Sequence, residues 1–378
     1  MKDSYKGHLV IVFALEHYNP LGHLRSLGEN GIYPVYISVK RRGDVAALSK
    51  YISILHKVDS VEDGYKLLMD KYGHFDYEHR PYVIFSDDKS VGYFDLHYEE
   101  IKEKFICFNA GQASRINEFM NKETILQLAK KHGFNILDTV VVEKGIIPEN
   151  LVYPIITKDI SPNSGNWKFD VFICHNEEEL KKAYEVITSP TIQIQRFVDK
   201  KNECALEGFV VNQGKDMHIV TQMTWKYLIE GYYSPYHDVT MFKNRDMQAK
   251  LEAMFKDIGF EGIFEVEFLI DQDGTFYFLE VNFRASAWNY TGACAGMPLA
   301  YLWVKSMYNG YIDSSDKKQF EDFTSMSEVI DYGKRVDTGE ISIAEWIKDF
   351  KEAKCTYYYN KDDMGPFEML YKKWNQFK

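Results

Sequence analysis

The chain begins with a nearly unbroken apolar run, His8 to Leu15 (HLVIVFAL), the pattern of a strand buried on both faces of a parallel sheet. After Asn19-Pro20 the periodicity predicts a helix from Leu21 to Glu29, closed by Asn30-Gly31, and a second strand from Tyr33 to Val39. Further apolar strands are expected at Tyr82 to Phe85 and at Phe105 to Phe108. Strands alternating with helices predict an α/β layer with a doubly wound parallel sheet. No GxGxxG follows the first strand, so no dinucleotide site is expected there. Asp87-Asp88 falls at the end of the third strand, on the edge where such sheets bind ligands; a solvated loop is the competing reading.

The middle of the chain changes pattern. Asn117 to Phe134 reads as one amphipathic helix ending at Gly133, and Leu151 to Thr157 as a strand finishing in Lys158. A small polar loop, Ser161 to Lys168 (SPNSGNWK), leads to a strand at Phe169 to Cys174 and a charged-faced helix at Glu177 to Ile187. Strands then follow at Thr191 to Val198, Cys204 to Val211 and His218 to Trp225, and a helix at Gln248 to Ile258. Gly292 to Met307 is helical and apolar, and the stretch after Asn309 is charged and aromatic with weak periodicity.

Between those helices lies the stretch with the clearest chemistry, Glu261 to Arg284 (EGIFEVEFLIDQDGTFYFLEVNFR). Two strands are expected around an Asp271-Gln272-Asp273-Gly274 turn. Period-two alternation sets Glu265 and Glu267 opposite Phe264, Val266, Phe268 and Ile270, and puts Phe276, Phe278, Glu280, Asn282 and Arg284 on one face. Carboxylates, an amide and a guanidinium beside a core are costly unless compensated, and a cation is the natural partner. An EF-hand reading fails, because its first ligand position would be Leu269 and both flanks alternate like strands.

Composition narrows the classes. With 378 residues and 45% hydrophobic content the chain has material for two or three domains with cores. A net charge of −11 predicts neither a nucleic-acid tract nor a membrane-binding face. The five cysteines lack CxxC spacing and are expected to be reduced thiols of a cytoplasmic protein. The first apolar run is too short for a signal peptide or a span. No GxSxG, HExxH or Cys/His arrangement is present, and His17 and His23 are expected to be structural or at the surface.

The order of these pieces resembles the ATP-grasp superfamily, and most closely its carboxylate–amine ligases of the D-aspartate ligase kind. The resemblance rests on Glu267, Glu280, Asn282 and Arg284, on Lys158 closing its strand, and on LRSLGENGIYPVYISV, Ser49-Lys50-Tyr51 and IFSDD in the N-terminal part. It implies an N-terminal pre-ATP-grasp α/β domain over residues 1–115 and a linker helix with a small lid subdomain over 116–196. A large antiparallel-sheet subdomain follows over 197–310, with a C-terminal segment over 311–378 packing on the core. Glu267, Glu280 and Asn282 would hold Mg2+ or Mn2+, since they offer only hard oxygen ligands.

By the same resemblance, Lys122 and Lys158 would touch the nucleotide phosphates, and Gly165 and Lys168 lie in the matching phosphate-covering loop, where Trp167 is bulkier than the pattern. Gln195, Arg196, Phe197 and Val198 match the segment that pairs with adenine through backbone groups, with Arg196 in place of the usual acid. Glu203 matches the ribose-holding acid, with Glu207 as second choice or else a surface strand acid. Lys226 would stand near the γ-phosphate or substrate, Tyr227 to Val239 is a candidate substrate loop or a packed hairpin, and Arg284 would engage the substrate carboxylate or its acyl-phosphate. Glu265 stands where some peptide ligases have Arg, so the D-alanine ligase variety fits less well. The implied activity uses ATP to phosphorylate a small carboxylate, which an amine then attacks. Another ATP-grasp chemistry and a nucleotide-binding module without turnover are the alternatives. The expected partners are small molecules and a second copy of the chain, with no nucleic acid and no membrane.

Overall fold

The computed structural model describes residues 4–41, 43–74, 76–160, 170–229 and 233–376. Gly165, Trp167 and Lys168, named above, lie outside these residues.

The N-terminal sheet contains β1 (Ser4–Tyr5), β2 (His8–Leu15), β3 (Val35–Val39), β4 (Ile54–Val58), β5 (Tyr82–Phe85) and β6 (Ile106–Cys107). Its order is β4-β3-β2-β5-β6, all parallel, with β1 antiparallel to β2. The apolar run at its centre is buried as its pattern predicts. β4 escapes the sequence reading because it is an edge strand with no buried position and no continuous apolar run. Strand order reverses between β2 and β5, so a crevice opens beyond Leu15 and Phe85, where doubly wound sheets take their ligands.

A four-stranded antiparallel sheet follows, with β7 (Thr139–Glu143), β8 (Ile155–Asp159), β9 (Ile173–Cys174) and β10 (Thr191–Arg196) in the order β7-β10-β8-β9. The helix Glu177–Val186 covers one face, burying Leu180, Ala183 and Tyr184 against Ile155, Ile192 and Ile194. Alternation therefore turns Lys158, Gln193 and Gln195 to the other face. The strand expected from Phe169 is reduced to Ile173–Cys174 among the described residues.

The large sheet runs β15-β14-β11-β12-β13-β16-β17. Its strands are β11 (Lys200–Val211), β12 (Asp216–Trp225), β13 (Tyr236–Thr240), β14 (Gly262–Asp271), β15 (Phe276–Asn282), β16 (Phe323–Met326) and β17 (Cys355–Thr356). The helix Arg245–Ile258 packs on one face, with the Phe255 and Phe264 ring centroids 4.4 Å apart. The segment after residue 310 does more than lie against this sheet, since it supplies β16 and β17. A fully buried ion pair between Arg25 and Asp363, at 2.9 Å, ties that segment to the first helix.

Two helices expected to be continuous are broken. Asn117 to Phe134 divides into Arg115–Met120 and Lys122–Lys131, because Asn121 caps the second helix by accepting the Glu123 and Thr124 N–H groups. Gly292 to Met307 divides into Tyr290–Cys294 and Leu299–Asn309. Among the described residues no helix is long and apolar enough to cross a membrane.

Candidate active site

Strand register assembles the site in rows. Glu267 pairs with Ala205 on one side and Glu280 on the other; Glu265 pairs with Glu207 and with Asn282. Paired residues project to the same face of a sheet, so Glu207, Glu265, Glu267, Glu280 and Asn282 share the face opposite the Arg245–Ile258 helix. Strict alternation along β15 does not hold. Glu267 pairs with Glu280 but Phe268 pairs with Phe278, which makes Leu279 a bulge. Phe276 and Phe278 are thereby turned to the apolar face, contrary to the sequence expectation. Phe278 donates its N–H to the Asn135 carbonyl at 2.9 Å and packs on Phe134 and Phe268.

The polar groups interlock. Asn282 Nδ2 donates to Glu265 Oε2 at 3.0 Å and to Glu267 Oε1 at 3.1 Å. Arg284 Nη2 donates to Asn282 Oδ1 at 3.1 Å and to Asp88 Oδ2 at 3.0 Å, while its Nη1 lies 3.5 Å from Glu265 Oε2. Asp88 opens a helix at the crevice of the N-terminal sheet, so this guanidinium joins two domains. Burial and the neighbouring Glu207 and Glu280 charges push Glu265 up to about 8 despite Arg284. Burial, Glu265 and Glu280 raise Glu267 well above the carboxylate range. Burial alone would lower Arg284, but Asp88 and Glu265 outweigh it and raise the guanidinium further.

Two lysines reach the same cluster from other elements. Lys122 is the first residue of its helix, an unfavourable end for a cation, and its Nζ lies 3.9 Å from Glu280 Oε2. Lys158, on the inner face of the four-stranded sheet, donates to Gln195 Oε1 at 2.9 Å, and Gln195 Nε2 in turn donates to Thr139 Oγ1 at 3.0 Å. Burial and the neighbouring Lys122 charge lower Lys158 to about 8, opposed by Glu280, Glu203 and Glu267.

Among the described residues no three His, Cys, Asp or Glu side chains form a ready-made metal cluster. The Glu267, Glu280 and Asn282 set is two carboxylates and an amide. It fits Mg2+, which keeps several waters or phosphate oxygens and takes only one or two carboxylates from a protein. Burial and the adjoining Glu265 and Glu280 charges hold Glu267 above the usual carboxylate range, an environment that a cation would offset.

The remaining expected residues fall out unevenly. Glu203 accepts from Trp225 Nε1 at 3.0 Å and from Lys200. The Arg196 and Phe197 N–H groups already donate to the Asp138 and Pro154 carbonyls, so neither is available for the expected pairing with a base. Arg196 itself is exposed.

Lys226 is not brought to the cluster. Its Nζ pairs with Asp238 at 2.9 Å, and Asp238 stands opposite Thr224 and hence on the Cys204–Phe268 face. There Lys226 borders an open cavity of about 770 Å3 with Tyr227, Tyr236, Arg335 and Asp349. One step past Trp225 on the strand, alternation turns Lys226 away from the cluster, so its position does not fit the expected catalytic role. Glu207 is no surface acid either, being 1% exposed and bonded through Oε1 to the Ser286 N–H and Oγ. Burial raises it to about 7, against the Ser286 bonds and the Arg284 charge.

The sequence reading does not name Gln193, and it assigns neither Glu265 nor Asp88 its contact with Arg284. Gln193 lies with Gln195 on the inner lid face, which the alternation in TIQIQ already signals. Glu265 was seen on the right face but given no role. Asp88 has no local signal for its bond to Arg284, which spans 196 positions.

Residues 149–311 match the family model described as the carbamoyl-phosphate synthase L chain, ATP-binding domain. The 2-oxoglutarate carboxylase small subunit of Hydrogenobacter thermophilus is 23% identical over 255 residues, covering 64% of this chain and 51% of that protein. The chain thus spans about half the length of that curated relative. The solved L-amino acid ligase from Bacillus licheniformis superposes with a TM-score of 0.64 at 14% identity, covering 85% of this chain and 80% of that one. The biotin carboxylase domain of the Hydrogenobacter thermophilus 2-oxoglutarate carboxylase, solved as a dimer with MgADP, ADP and bicarbonate, gives 0.64 at 14% identity, covering 85% and 74%. These likenesses show the fold. Residues 149–311 thus match that ATP-binding domain family, and the chain as a whole shares the fold of these solved structures.

Proposed function

We propose that the protein is an ATP- and Mg2+-dependent ligase, with Mn2+ as the alternative ion, that activates a small carboxylate as an acyl-phosphate and joins it to an amine. The substrate acid and amine are most simply amino acids. The observation that carries this reading is the convergence of Lys122 and Lys158 with Glu267 and Glu280 between two sheets, a paired positive and negative site suited to metal-bound phosphates.

Glu267, Glu280 and Asn282 would hold Mg2+, which would supply positive charge to offset that of the phosphates. Lys122 and Lys158 bind the phosphates as point charges. Glu203 takes the ribose hydroxyls, and backbone groups of Gln195, Arg196, Phe197 and Val198 take the base. Gly165 and Lys168 belong to the loop assigned to cover the phosphates. Arg284, fixed by Asp88, Glu265 and Asn282, stabilises the charge on the carboxylate and its phosphorylated form. A carboxylate oxygen bonds to the γ-phosphorus and ADP leaves. The amine nitrogen then bonds to the carbonyl carbon, the C–O bond to phosphate breaks, and phosphate departs with the electron pair while the nitrogen sheds its protons to phosphate and solvent. No covalent enzyme intermediate is required, and positioning supplies the rate.

A second reading, activation of bicarbonate in place of an organic acid, is favoured by the carboxylase relative and by the bicarbonate in its solved domain. On this reading the enzyme works in the cytoplasm, with a second copy of the chain as its partner.

The test is ADP release from MgATP across amino acids supplied singly and in pairs, and with bicarbonate, with product masses measured. A product equal to two substrates less water supports ligation. ADP release that needs bicarbonate and one acceptor supports the second reading. ATP binding without turnover on any pair contradicts both.

A further inference from the structure

A lysine ammonium only donates, so the side chain that meets it must present an acceptor. Lys158 Nζ donates to Gln195 at 2.9 Å, which turns the carboxamide oxygen of Gln195 towards the lysine and its NH2 group away. That NH2 group donates to Thr139 Oγ1 at 3.0 Å. The Thr139 hydroxyl has a single proton, and it goes to the Leu137 carbonyl at 2.7 Å. Thr139 therefore accepts from Gln195, and the amide is locked. Turned over, it would set its oxygen against the Thr139 lone pairs and its NH2 group against the ammonium.

Strand pairing alone would not give this link. Lys158 stands directly across from Gln193, and Gln195 across from Thr139. Lys158 nevertheless reaches diagonally to Gln195, while Gln193 Oε1 is buried with no hydrogen-bond partner among the described residues. A buried acceptor left unmade is costly, so the bond to Gln195 is held against the claim of the lysine's own cross-strand partner. It draws the ammonium towards the end of the lid sheet where the chain crosses to the large sheet. There the Arg196 N–H bonds to the Asp138 carbonyl at 2.8 Å, Ile136 bridges to Phe278, and the Phe278 N–H bonds to the Asn135 carbonyl at 2.9 Å. Phe278 and Glu280 lie on the same strand, β15.

We propose that Thr139 is a positioning residue for nucleotide binding: through the Gln195 amide it holds the Lys158 ammonium at the crossing between the lid and the strand that carries Glu280. This rests on the reading of Lys158 as a phosphate ligand. One ammonium proton is given to Gln195, which leaves two for phosphate oxygens. Lysine is a point charge on a flexible stem, so a fixed second contact reduces the ordering that its phosphate contact would otherwise require. Thr139, with its proton on the Leu137 carbonyl and Gln195 on its oxygen, acts through Lys158 and not as a ligand.

MgATP affinity, read by calorimetry without acid or amine, tests this in wild type, Thr139→Val, Lys158→Met and the double variant. Valine keeps the shape of threonine and removes the hydroxyl. Thr139→Val is expected to weaken MgATP binding about three- to tenfold, the range for one hydrogen bond between neutral groups, and Thr139→Ser to return it to within about twofold of wild type. In the Lys158→Met background Thr139→Val is expected to change the affinity by less than about twofold, because the two residues act as one unit. Wild-type affinity in Thr139→Val overturns the proposal. So does an equal loss in both backgrounds, which would mean that Thr139 acts through the fold of the lid. Unchanged affinity in Lys158→Met is a separate result: it removes Lys158 from the nucleotide site, and the proposal with it. Should Thr139→Val fail to fold, Gln195→Leu decides. A loss of affinity that vanishes in the Lys158→Met background supports the relay, and no loss, or a loss that persists there, overturns it.

Discussion

Arg284 Nη2 donates to Asp88 Oδ2 at 3.0 Å, which fixes the guanidinium at the end of β15 to the crevice of the N-terminal sheet. The same side chain reaches Glu265 and Asn282 beside the carboxylate pair. The bond therefore sets the distance between the N-terminal crevice and the row that would hold the metal. It is an orienting contact for the group assigned to the acyl-phosphate.

Asp88→Asn keeps the side-chain shape and removes the charge. A hydrogen bond to a charged group contributes about 1.5–3 kcal/mol, so kcat/KM for the carboxylate is expected to fall by about ten- to a hundredfold. ATP affinity, measured by calorimetry, is expected to stay within about twofold, because no nucleotide contact is assigned to Asp88. Equal loss of both would show that Asp88 acts through the fold.

Lys158 makes nucleotide binding sensitive to pH. Free, it is lowered to about 8 by burial and by Lys122; phosphate beside it favours the charged form and raises it. The affinity from this charge is complete below about pH 8 and is lost as pH rises from there towards the raised value in the complex. Binding at pH 8 to 9 accordingly takes up protons, and at its steepest the affinity falls by about tenfold per pH unit. Calorimetry in two buffers of different ionisation enthalpy reads that uptake. Lys158→Arg, charged throughout, is expected to abolish it; an unchanged proton uptake would assign it to another group.

Not all of this was legible in the sequence. Glu267, Glu280, Asn282 and Arg284 were, because strand alternation needs only neighbours along the chain and the spacing of acids and amide is distinctive. The face of Phe276 and Phe278 was misread because a bulge at Leu279 has no composition signal of its own. Lys122 was placed inside a helix that Asn121 interrupts; an asparagine amid good helix formers reads as tolerated until its side chain is seen capping. Lys226 and Glu207 failed for opposite reasons. The first was assigned by position after a strand without tracking its face, and the second was taken as a surface acid although Ser286, far along the chain, holds it buried. The short strands β16 and β17 are paired by remote partners, so their own few residues could not announce them.

The C-terminal segment depends on one buried cation. Arg25 donates to Asp363 Oδ2 at 2.9 Å and to the Tyr357 and Tyr358 carbonyls at 2.7 and 2.9 Å, with both charged side chains fully buried. Removing one partner of such a pair leaves an uncompensated charge, and Arg25→Ala is expected to cost about 3–5 kcal/mol. Urea denaturation followed by tyrosine and tryptophan fluorescence checks this. A loss below about 1 kcal/mol, the level of an exposed pair, would contradict the assignment.

The central claim is that this cleft phosphorylates a carboxylate with ATP, and oxygen-18 transfer tests it most directly. A substrate acid labelled in both carboxyl oxygens is incubated with enzyme, MgATP and amine, and the released phosphate is analysed by mass spectrometry. The account predicts that each phosphate carries one labelled oxygen, matched one for one with amide product, and that Glu280→Gln abolishes the transfer. Amide product with unlabelled phosphate would mean that the carboxylate is never phosphorylated, and the proposed chemistry would be wrong.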